Sequence, residues 1–101
     1  LLAAMALRES GYDSSARGRV GELGLMQLHP KSPWGRRAIA RIRAGEPADY
    51  VVVDEAAGLL AAALARCGSL DAALGAYNSG RCGASRYAER VLRLRGALSS
   101  R

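Results

Sequence analysis

Apolar and polar positions alternate along this chain mostly at helical spacing. Residues 1–9 form an Ala/Leu-rich run of strong helix formers with no breaker, ending in Arg8-Glu9. Asp13-Ser14-Ser15 and Gly18 interrupt the pattern and predict a loop. Residues 22–28 are apolar enough for a short helix that Pro30 closes, and Lys31-Ser32-Pro33-Trp34-Gly35 reads as a turn. Helical spacing returns over 36–44, with Ala38, Ile39 and Ile42 on one side and Arg36, Arg37, Arg41 and Arg43 around the rest. Gly45-Glu46-Pro47 ends that helix. The β-branched run 50–53 reads as a short extended piece, with no partner run to make a sheet. Asp54 is placed to cap a helix over 55–66, where Leu59, Leu60, Ala63 and Leu64 share a face. Gly68 predicts a helix C-cap and Ser69 an N-cap for 70–77. A last helix over 85–94 carries Tyr87, Val91 and Leu94, and the chain from Gly96 onward reads as a fraying tail. The pattern therefore predicts five or six helices, an all-α fold.

Size and composition narrow this. A chain of 101 residues predicts a single domain, 1–101, with one modest core. Four Tyr, one Trp and no Phe leave Ala, Leu and Val to fill that core, which calls for closely packed helices. The net charge is +6, and Lys31 is the sole lysine among 15 basic residues. Such a surface either steers an anionic partner or reflects arginine usage alone. No helix-turn-helix signature or basic aromatic platform marks a nucleic-acid binder. No apolar run approaches the ~20 residues of a membrane span. Residues 1–7 lack the basic start of a signal peptide and lead straight into Arg8-Glu9, so they read as a helix whose beginning is cut off. Any export signal would lie upstream. His29 is the single histidine and no CxxC pair exists, which disfavours a metal site. Cys67 and Cys82 allow one bridge, or a pair of buried thiols.

The chemistry concentrates around Glu9. A carboxyl at the mouth of an apolar segment has its pKa raised and keeps a proton near neutrality, although a glutamate at a helix end is also commonly solvated. Gly21 and Gly24 leave backbone room beside whatever that carboxyl faces. Trp34 either anchors a loop on the core or stacks on a sugar.

Three blocks, in order, carry a resemblance. Glu9-Ser10-Gly11-Tyr12, then Gly21-Glu22-Leu23-Gly24-Leu25-Met26-Gln27-Leu28-His29-Pro30, then Ala76-Tyr77-Asn78-Ser79-Gly80 with Arg86-Tyr87, resemble the lytic transglycosylases of the soluble (SLT) type. These lysozyme-like enzymes cut the peptidoglycan glycan strand, and the match covers nearly the whole chain. The resemblance implies a lysozyme-like helical domain with a substrate cleft, no cofactor, a monomer, and a periplasmic or cell-envelope location. It also implies a bridge between Cys67 and Cys82, since the family works outside the cytoplasm.

Glycosidases generally use two carboxyl groups, about 5–5.5 Å apart in retaining enzymes. The resembled family uses one glutamate twice, as acid and then as base, giving a 1,6-anhydromuramoyl product. By resemblance Glu9 has that role. Ser10, Met26 (through its backbone), Gln27, Tyr77, Asn78 and Tyr87 match positions that line the cleft or hydrogen-bond near the glutamate. Core packing would also account for the two tyrosines, and a helix C-terminus for Asn78. Gly58 matches a family glycine. Where this chain has Asp54, Gly18 and Glu22, the family has Asn, often Ser and often Ala. Glu22 then either adds a carboxyl near the site or is a first-turn helix acid, and Asp13 reads as a solvated loop residue. Competing readings are a goose-type-lysozyme-like hydrolase with a helper carboxylate, and a weakly catalytic wall-binding subunit of a secretion or phage assembly.

Overall fold

The computed structural model describes residues 1–99. Five α-helices follow one another: α1 (Leu2–Ser10), α2 (Pro33–Arg43), α3 (Ala48–Cys67), α4 (Leu70–Ser79) and α5 (Arg86–Ser99), with a 3₁₀ turn at Gly24–Met26. No strand occurs among the described residues. The loop after α1 carries two isolated antiparallel bridges, Arg17 with Leu23 and Leu23 with Leu28. The fold is all-α, as the residue pattern predicted.

The long helix α3 is the spine. It packs against α2, α4 and the 3₁₀ turn, while α1 packs against α5 and the 3₁₀ turn. The interior is small-residue packing. Ala4, Ala38, Ala56 and Ala73 are fully buried, and Met5, Met26, Leu28, Val51, Leu74 and Val91 supply the bulk. Alanine at the contacts lets helix axes approach closely, so few aromatic rings are needed. Glycine does the same where approach is tightest. A Cβ on Gly58 would sit 2.8 Å from the Trp34 ring, and one on Gly75 would collide with the Gly83 carbonyl.

Several predicted boundaries move. Residues 50–53 are not extended: they are early turns of α3, because Val51 and Val52 are buried in the core and packing outweighs β-branched preference. Asp54 therefore caps nothing. It lies inside α3, and its carboxylate accepts from Arg41 Nη1 at 2.7 Å. The expected turn at 31–35 is already helix from Pro33, a favoured first-turn residue, with the Ser32 hydroxyl accepting from the Gly35 N–H at 2.9 Å. The helix expected at 22–28 shrinks to Gly24–Met26, which leaves Glu22 outside any helix. The tail beyond Gly96 remains helical to Ser99; Ser100 and Arg101 lie outside the described residues.

The α3–α4 corner follows the sequence closely. Gly68 takes a left-handed φ of 84° and its N–H bonds to Leu64 O, while the Ser69 hydroxyl accepts from the Ala72 N–H. Cys67 and Cys82 are joined, with Cα atoms 5.4 Å apart and a sequence separation of 15. Beside α2, the buried Glu55 carboxylate is satisfied by Arg37 Nε and Arg41 Nη1, each at 3.0 Å. No described helix is long and apolar enough to cross a membrane, and no described cluster of His, Cys, Asp or Glu could hold a metal ion.

Candidate active site

Glu9 sits one residue from the end of α1, and that end is fixed from two directions. The Gly11 N–H closes the helix on Leu7 O with a left-handed φ of 61°. The Ser10 hydroxyl lies 2.9 Å from Leu25 O and 3.1 Å from Ala6 O, tying the last turn of α1 to the 3₁₀ turn. From this anchored position the Glu9 side chain reaches a cleft of about 570 Å³. Its walls come from the 20s loop, the start of α2, the middle and end of α3, and α4. Gln27, Trp34, Leu59, Arg66, Tyr77 and Asn78 line it together with Glu9 and Glu22.

Four of the site residues expected from the sequence thus meet in one cleft: Glu9, Gln27, Tyr77 and Asn78. The others stand behind it. Ser10 spends its hydroxyl on backbone carbonyls. Met26 is fully buried, and its carbonyl accepts from the Tyr77 hydroxyl at 2.8 Å. Tyr87 is buried against Tyr77, the two rings being parallel within 5° at 6.2 Å between centroids. Gln27 has an unusual left-handed φ of 48°, and its amide nitrogen donates to Gly24 O and Ala16 O. Asn78 is exposed on the last turn of α4, on the rim.

The electrostatics centre on Glu9. Partial burial pushes its carboxyl above the usual carboxylate range; the Tyr87 hydroxyl and the Arg8 charge pull it back, and Glu22 pushes it further up. The Tyr87 oxygen is buried without a well-aligned hydrogen-bond partner among the described residues. It is near enough to Glu9 to lower that carboxyl's pKa, yet lacks the geometry of a formed bond. Burial, with Glu9 nearby, raises both tyrosine pKa values beyond the ordinary phenol range, so both hydroxyls stay protonated and can donate. A half-buried, protonation-ready carboxyl beside two phenols can give a proton to a bridging oxygen and take one back.

Residue types alone gave no signal for some cleft residues. Arg66 comes from the last turn of α3 and His29 from the loop before α2. Trp34 does two things: its ring packs on Gly58, fixing α2 on α3, and it forms part of the cleft wall under the Arg37 guanidinium, 4.6 Å from the ring centroid. Asp13 is exposed and bonded to the Ser15 hydroxyl and N–H, which hold its pKa low, as a solvated loop acid. A second hollow of about 460 Å³ lies between the 14–24 loop, α2 and the start of α3; Arg17, Ile39, Ile42 and Val52 line it, and it contains none of the expected site residues.

Comparison with known protein families decides the affiliation. Residues 1–95 match the transglycosylase SLT domain. The chain belongs to that family. No curated protein and no solved structure matches it. An SLT domain is a soluble lytic transglycosylase unit of the lysozyme-like superfamily, and family membership implies glycan-cleaving activity on cell-wall peptidoglycan. In this SLT domain residues from each of the three blocks that carry the resemblance line one place, the cleft that Glu9 enters.

Proposed function

We propose that this SLT domain is a lytic transglycosylase that cleaves the MurNAc–GlcNAc β-1,4 bond, with Glu9 as acid and then base. One observation carries the reading: a carboxyl with a raised pKa, anchored at the end of α1, enters a cleft of about 570 Å³ lined by Gln27, Tyr77 and Asn78. In the first step the Glu9 proton passes to the glycosidic oxygen and the bond from the anomeric carbon to that oxygen breaks. The Glu9 carboxylate then takes the proton of the muramyl 6-hydroxyl, whose oxygen closes on the anomeric carbon. No water is consumed, and the product ends in 1,6-anhydromuramic acid.

The remaining residues take supporting parts. Gln27 and Asn78 offer amide groups to sugar hydroxyl and acetamido groups. Tyr77 and Tyr87 form a phenolic wall beside Glu9, and Ser10 and the Met26 carbonyl hold that wall and the helix end in register. The domain works as a monomer on the glycan strand, in the periplasm or cell envelope, without cofactor or nucleic acid.

A hydrolase reading has one observation in its favour, the Glu22 carboxylate in the same cleft. Mass analysis of digested cell wall separates the two. Anhydromuropeptides, lighter than hydrolytic products by one water, are expected, and Glu9→Gln should abolish lysis while the variant stays folded. A digest of ordinary reducing muropeptides would establish the hydrolase, and normal lysis by folded Glu9→Gln would remove Glu9 from the chemistry.

A further inference from the structure

Glu22 is held in place by its own loop. Its Oε1 accepts from the Val20 N–H at 2.9 Å, and its carbonyl accepts from the Gly18 N–H at 3.3 Å. The carboxylate occupies the space where a side chain at position 18 would be: a Cβ on Gly18 would run into it. Gly18 is not among the residues with positive φ, so its lack of a side chain serves space and not backbone conformation. The loop 18–22 is thus folded around a carboxylate, and Glu22 is among the residues that line the cleft that Glu9 enters.

We propose that Glu22 is a positioning residue for the proton of Glu9, its carboxylate seated on Gly18 so that a fixed negative charge borders the acid–base group. The proposal rests on the reading of Glu9 given above and adds a second acidic side chain to it. Its use lies in the second half of the reaction. Once Glu9 has released its proton, two carboxylates share one cleft, and their repulsion favours return of a proton to Glu9. The 6-hydroxyl is a weak acid, so a base whose pKa is raised toward the working pH removes its proton more effectively. The geometry agrees with the electrostatics, in which Glu22 adds to the burial that already raises Glu9. Other polar groups around Glu9 act differently. Arg8 on α1 and the Tyr87 hydroxyl on α5 lower it, Tyr77 on α4 is spent on Met26 O, and His29 and Arg66 line the cleft further round.

The test follows the Glu9 carboxyl by carbon NMR over a pH series in the whole domain, beside pH–rate profiles of wall lysis. Glu22→Gln keeps the shape and the Val20 bond but loses the charge; Glu9 should then titrate at lower pH, and the alkaline limb of lysis should move down with it. Gly18→Ala, which evicts the carboxylate without backbone strain, should move both in the same direction. Asp71→Asn removes an exposed charge on the first turn of α4 and should move neither. An unchanged Glu9 titration in Glu22→Gln, or an equal shift in Asp71→Asn, overturns the inference. No lysis by the wild-type domain at any pH would instead overturn the reading of the site, which the NMR titration does not depend on.

Discussion

Tyr87→Phe separates stability from function in this site. The Tyr87 oxygen is buried and lacks a well-aligned hydrogen bond among the described residues, while the rest of the ring is packed against Tyr77. A buried hydroxyl left without a good partner costs about 1–3 kcal/mol, and phenylalanine keeps the ring without that oxygen. Taking the low end, because the nearby Glu9 gives the hydroxyl some compensation, the variant should gain about 1 kcal/mol. For a domain of this size that is about 4–8 °C in Tm. The same change removes a hydrogen-bonding influence that lowers the Glu9 pKa. Glu9 should titrate at higher pH than in the wild type, opposite in direction to Glu22→Gln, and lysis should fall although the fold is firmer. Thermal unfolding by circular dichroism, with a pH–rate profile, reads both. A drop in Tm of several degrees would refute the reasoning, because it would mean the hydroxyl is part of a satisfied structural bond.

Three further outcomes follow from the same geometry. Glu9→Gln should be more stable than the wild type at neutral pH: burial raises the Glu9 pKa in the folded state, so wild-type stability falls as pH rises from the ordinary value of 4.5 through the raised one, and urea midpoints of the two should converge below that window. Replacing Cys67 and Cys82 together by Ser should lower stability by about 3 kcal/mol, the chain-entropy value for a 15-residue loop, with no effect of reductant on the variant. Gly75→Ala places a Cβ against the Gly83 carbonyl and forces the 80–83 segment off α4; a loss of about 1–3 kcal/mol in chemical unfolding is expected, and wild-type stability would show that the segment yields freely.

What the sequence made legible was local. Gly68 and Ser69 carried their caps in their own chemistry, and the bridge between Cys67 and Cys82 closes over the hairpin they define. What it obscured was set by partners far along the chain. Val51 and Val52 look extended until the core is there to receive them, and Asp54 looks like a cap until Arg41 comes alongside. Gln27 has no local excuse for a left-handed backbone; the turn needs one there to bring Leu28 back to Leu23. In the site, Glu9, Gln27, Tyr77 and Asn78 were readable because they fall in motif blocks. His29 falls in a block as well; Arg66 does not, and only the packing of α3 brings it to the same wall. Glu22 resembled a first-turn acid because a helix was expected over 22–28, and the short 3₁₀ turn frees it for the cleft.

The single indole also has an optical consequence. Trp34 is the only tryptophan of the chain, half-buried, with one part of its ring against Gly58 and another on the cleft wall. Emission excited selectively at the indole therefore comes from one known spot at the edge of the cleft. A glycan that fills the cleft dries that spot, and separation of α2 from α3 wets it, so the two events displace the emission in opposite directions. The domain carries a built-in fluorophore that distinguishes occupancy from unfolding without any label.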